Sequence, residues 1–100
     1  MRRIILIAIV FASSAFAAVP VGPAVTVANH TACITEQYWR DATKFVVAGD
    51  KASFMAYVND QKCLILKDGI PVHVIDGGMT YSIFSIQGMK FWVADEGLRR

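Results

Sequence analysis

The stretch Cys63-Leu64-Ile65-Leu66-Lys67-Asp68-Gly69-Ile70-Pro71-Val72-His73-Val74-Ile75-Asp76-Gly77-Gly78 decides how this chain folds. Upstream of it, apolar residues recur every three or four positions; within it they begin to alternate. Residues 63–66 form a short apolar strand, Lys67-Asp68-Gly69 a turn, and residues 70–76 an alternating strand with Ile70, Val72 and Val74 on one face. Pro71 puts that strand at an edge or at its own beginning. Gly77-Gly78 is a hairpin signal. Residues 80–87 make a third strand, with Phe84 and Ile86 inward and Tyr81 and Ile83 on the other face. After the Gly88-Met89-Lys90 turn, residues 91–94 make a fourth, and Leu98 packs in the closing segment. Short strands spaced about ten residues apart predict a small antiparallel barrel or a strongly bent sheet.

Working upstream, Ile34, Tyr38, Ala42, Phe45 and Val46 fall on one helical face, which predicts a helix over 34–48. Glu36 and Arg40 are four apart, in the favourable order for a helix pair. Gly49 stops this helix and Asp50 caps a second one over 51–60, with Ala52, Phe54, Met55 and Val58 as its buried stripe. So short a connection implies a tight helical corner, which brings Cys33 back toward Cys63. Residues 18–30 hold two prolines, one glycine and no formal charge, and are expected to be an extended arm. Within it, residues 25–27 have the composition of a short strand.

The N-terminus has the three parts of a secretory signal peptide. Arg2 and Arg3 supply the positive end, residues 4–12 an unbroken apolar run, and Ala15-Phe16-Ala17 a small-x-small cleavage pattern. Cleavage is expected after Ala17 or Ala18. The competing expectation is an uncleaved anchor, but a spanning helix needs about 20 apolar residues and this run is shorter. Export puts the mature chain in a periplasmic or extracellular space, with no stable membrane span after cleavage. The full chain carries ten Lys+Arg against eight Asp+Glu. Removing Arg2 and Arg3 with the signal leaves eight of each, so the footprint of a nucleic-acid binder is missing.

What remains is one small domain, for which a covalent staple is useful. Cys33 and Cys63 are its two cysteines, and in an oxidising compartment a pair reads as a disulfide. The alternatives are free thiols, or a metal held by both cysteines with His30 and His73. A Cys-His nucleophile needs a free, activated thiolate, which pairing removes.

Residues 63–74, followed by Ile83-Phe84-Ser85-Ile86-Gln87-Gly88, Phe91-Trp92-Val93 and Leu98, resemble bacterial SH3-like domains over roughly residues 62–98. In those domains a strand leads through a turn glycine into a "pVxV" strand and the chain ends on "WV…L". The helical segment with its cysteine pair is similar to small exported bacterial proteins that place helices before an SH3-like barrel. Together with the signal peptide over 1–17 and the extended arm over 18–30 read above, the resemblance implies an α+β fold: an N-terminal helical hairpin over 31–61 followed by a small SH3-like antiparallel β-barrel over 62–100. It implies binding of peptides, cell-wall fragments or other proteins, and no catalytic residue. The acidic, tyrosine-rich loop of proline-binding SH3 domains is absent here, so that specificity is not implied.

Tyr81, Trp92 and Tyr57 are the candidate binding residues, since aromatics at a sheet surface combine contact area with a polar tip. Trp92 could instead cap the core. Asp95 and Glu96 are adjacent carboxylates that point in different directions, so paired acid–base work is not indicated. Asn29-His30-Thr31 matches a glycosylation sequon, which matters only in a eukaryotic secretory pathway. No metal and no cofactor are implied. The expected function is a non-enzymatic exported module that binds a protein or cell-envelope component. The alternative is a small secreted inhibitor or immunity-type protein that blocks an enzyme. A hydrolase would need a pocket of convergent polar groups, and no such set is recognisable.

Overall fold

A computed structural model describes residues 19–100. The export signal expected over 1–17 lies outside the described residues. Seven strands and two helices run in the order β1 (Gly22–Thr26), β2 (Thr31–Cys33), α1 (Glu36–Ala48), α2 (Lys51–Asn59), β3 (Cys63–Ile65), β4 (Pro71–Gly77), β5 (Tyr81–Ile86), β6 (Met89–Ala94) and β7 (Leu98–Arg99). All seven strands form one antiparallel sheet of order β3-β2-β6-β5-β4-β1-β7.

This corrects the expected fold. The helices do not form an N-terminal hairpin ahead of a four-strand SH3-like barrel. They are inserted between β2 and β3, in a seven-stranded sheet that draws strands from both sides of them. Two misread segments account for the difference. Residues 22–26, taken as arm because of Gly22 and Pro23, pair with β4 and β7. Gly22, Ala24 and Thr26 face inward, so the alternation is present but written in small residues. Pro23 is tolerated because β7 reaches only Val25 and Thr26, leaving β1 with one neighbour at the proline. Residues 31–33, assigned to the helical hairpin, are a three-residue strand between β3 and β6. The first helix cannot begin earlier than Glu36, because Thr35 is its N-cap and accepts a hydrogen bond from the Tyr38 amide at 3.0 Å.

The helical corner forms at Gly49 and Asp50, but the expected stripe of Ala52, Phe54, Met55 and Val58 is not buried: α2 has no buried residue and Ala52 is exposed. Gly49 takes a left-handed conformation (φ 72°) that ends α1. Asp50 then caps α2 through the Ser53 amide at 3.1 Å. At the β5–β6 hairpin, Gln87 (φ 52°) and Gly88 (φ 81°) are both left-handed, as a two-residue turn requires.

One face of the sheet carries Ala24, Ala32, Leu66, Val72, Val74, Phe84, Phe91, Val93 and Leu98 in a single buried cluster. No helix residue belongs to that cluster, and it joins β2 and Leu66, just beyond β3, to Leu98 of β7 at the other end of the sheet order. The sheet therefore curls so that this face closes on itself. Phe84 and Phe91 are directly opposed on β5 and β6, with rings stacked at 5.4 Å. Thr26 locks the curl: its buried hydroxyl donates to the Lys67 carbonyl and accepts from the Ile70 amide at 3.0 Å.

Cys33 and Cys63 are joined in a disulfide, opposite each other on β2 and β3. The Leu66 amide donates to the His30 carbonyl and the Ile34 amide to the Lys62 carbonyl. Those bonded pairs flank the cysteines in a period of two, so Cys33 and Cys63 form a non-hydrogen-bonded pair, where side chains stand closest. The bond closes the loop that contains α1 and α2, and it is buried beneath them with Ala42.

Candidate functional site: the outer face of the sheet

Alternation sets the second face. Opposite the core positions, β5 presents Tyr81, Ile83 and Ser85, and β6 presents Lys90, Trp92 and Ala94. The helices pack mainly on β2, β3 and β6, and α1 reaches β5 through Trp39 and Arg40 at Tyr81. Tyr81, Ile83, Ser85 and Trp92 are half-buried; His73 and Lys90 are exposed. Trp92 does not cap the core: it stands opposite Ile83 and Cys33 on the outer face.

Tyr81 is the centre of a small aromatic–cationic stack. The Trp39 ring lies 5.1 Å from it, tilted by 45°, and the Arg40 guanidinium carbon lies 5.9 Å from its ring centre. Arg40 is held there by Glu36, whose carboxylate accepts from its Nε at 2.8 Å and raises the guanidinium pKa further above its ordinary value. Shallow clefts lie on either side of the stack. One of about 230 Å³ is lined by Asn29, His30, Trp39, Thr43 and Val46. The other, of about 240 Å³, is lined by Asp76, Met79, Thr80, Tyr81 and Ile83. Each is smaller than the few hundred Å³ of a typical small-molecule pocket. Such clefts suit single side chains of a larger partner.

Two of the three aromatic candidates therefore share a face and the third does not join them. Tyr57 is committed to the helical corner. Its ring meets Tyr38 and Phe45 edge-on at 5.7 and 5.1 Å, and the Lys62 ammonium sits 4.7 Å from its centre. Its hydroxyl donates to Asp41 at 2.8 Å. That bond raises the phenol pKa and, with a second bond from Gln37, lowers the carboxylate's. Trp39 and Arg40 escaped the sequence reading. Trp39 is three residues before the buried Ala42, a spacing that puts both on one helical face. Arg40 had been assigned only a partner on its own helix.

Both sulfurs belong to the disulfide, so no thiolate remains for a metal set with His30 and His73. Among the described residues, no three His, Cys, Asp or Glu side chains gather. Asn29 lies exposed in the β1–β2 turn. No helix among the described residues is long and apolar enough to cross a membrane. The chain matches no protein-family model, no curated protein and no solved structure, so the resemblance of residues 62–98 to exported SH3-like domains rests on its short motifs alone.

Proposed function

We propose that this protein is a non-enzymatic, exported binding module that recognises a protein or cell-envelope component through the outer face of β5 and β6. The observation that carries the proposal is the half-exposed aromatic face itself. Tyr81 stands half-exposed beside Trp39 and Arg40, and Trp92 stands half-exposed opposite Ile83, on strands whose opposite face is fixed by the core. Rigid aromatics flanked by shallow apolar clefts and a fixed cation are what binding hot spots are made of. The disulfide supports an oxidising compartment, and the positive–apolar–small order of residues 1–17 supports cleavage and release.

The test is capture from native envelope extract by the purified protein. Tyr81→Ala and Trp92→Ala are expected to abolish recovery of a specific partner, whereas Tyr57→Phe leaves it unchanged. Equal recovery by all three variants would overturn the proposal. Intact mass of the exported chain tests the address: its N-terminus is expected at Ala18 or Val19.

A further inference from the structure

We propose that the outer face takes an extended acidic segment of a partner protein, with two carboxylates four residues apart around a central apolar side chain; this rests on the binding-module reading and names the ligand class of that same face. Strand register sets the side chains in rows. His73 is paired with Ser85 and Ser85 with Lys90, so an imidazole, a hydroxyl and an ammonium stand side by side across three strands. The next row along β5 is Ile83 opposite Trp92. The row after that is Tyr81, with the Arg40 guanidinium over its ring. The face thus carries Lys90 at one end, Ile83 and Trp92 beside Asp76 at the waist, and Arg40, ion-paired to Glu36, at the other end.

Spacing and charge select the ligand. Ser85 to Tyr81 is four residues, roughly 13 Å along a strand, and an extended peptide laid beside it covers the same distance in the same number of residues. Among the described residues the ion pairs are Glu36–Arg40 and Asp68–Arg99, so Lys90 is left to meet a ligand carboxylate. Arg40 binds Glu36 through Nε and one amino group, which leaves the other for a ligand. Asp76 is paired with Ile83 at the waist and repels a carboxylate there, which favours an apolar residue at the centre. Anionic lipid is the poorer fit, since membrane docking draws on a cluster of four or more basic residues.

The probe is a blocked heptapeptide with glutamates four positions apart around a central leucine, titrated into the purified protein and followed by amide and indole NMR. Shifts are expected at Tyr81, Ser85, Lys90 and Trp92, weakening with added salt. Lys90→Glu is expected to reduce affinity about tenfold while leaving the melting temperature unchanged. The glutamine version of the peptide should bind more weakly than the glutamate version. Shifts centred elsewhere, equal binding of a di-lysine peptide, or indifference to Lys90→Glu would overturn the proposal. Tighter binding to phosphatidylglycerol vesicles than to the peptide would overturn it in favour of a membrane surface. If no peptide binds but Trp92→Ala still abolishes capture from envelope extract, the acidic ligand is wrong and the binding face stands.

Discussion

Phe84 and Phe91 face the inside of the curled sheet, while Ile83 and Trp92, their immediate neighbours in sequence, face outward. The four residues are comparable in apolar character, and a change of one strand position separates the two pairs. The inner pair is buried in a cluster drawn from six strands. The outer pair is bordered by Ser85, Lys90 and Tyr81 and is half open to water. Composition does not distinguish a residue that faces the core from one that faces outward; the parity of its strand position does. Where alternation is broken, as in Phe91-Trp92-Val93, the sequence cannot show parity at all.

The first way to break this comparison is to truncate across it. Phe84→Ala should cost about 3–5 kcal/mol, read by chemical denaturation, because it opens a cavity in a closed cluster. Trp92→Ala should cost far less and should act on binding instead. Comparable losses for the two would mean that Trp92 belongs to the core after all.

The disulfide sharpens the comparison from the other side, since it secures the helices over the outer face. It closes a 30-residue separation. In the chain-entropy account this contributes about 3–4 kcal/mol. Reduction, or Cys33→Ala with Cys63→Ala, should lower the melting temperature by about 10 °C or more. A mass unchanged by reduction would show that no disulfide exists.

The smallest expected effect is acidic. Tyr57 and Gln37 hold Asp41, and Ser53 holds Asp50, below the ordinary aspartate value of 3.8. Their folded pKa values are depressed, so the unfolded chain takes up protons first as pH falls. The stabilisation they give is therefore complete above about pH 5 and is lost as pH drops through the folded values. A pH–melting curve should show this shoulder, reduced in Asp50→Asn, with the outer face of the sheet unaffected.

Local signals were the legible ones. Gly49 and Asp50 announce the helical corner because caps are satisfied within a few residues. The alternation of 70–76 and 80–87 likewise gives β4 and β5 with their inner faces. What stayed hidden depends on distant partners. β1 alternates in glycine, alanine and threonine, which carry little hydrophobic contrast, and β2 is too short to show a period. The insertion of the helices into one seven-stranded sheet follows from the pairing of β2 with both β3 and β6, and no local pattern encodes that. Of the three aromatic candidates, Tyr81 and Trp92 lie on the outer face, where alternation was legible for Tyr81 alone, and Tyr57 lies in the helical corner against Asp41. Trp39 and Arg40 join the site only because α1 folds back over β2 and β6.

The central claim is that the outer face binds and the helical corner does not. It is tested most directly by site-specific photocrosslinking in the native envelope, with the crosslinking side chain placed at Trp92 in one variant and at Tyr57 in another. A discrete partner adduct from position 92 and none from position 57 is the predicted result. An adduct from position 57 alone would contradict the account.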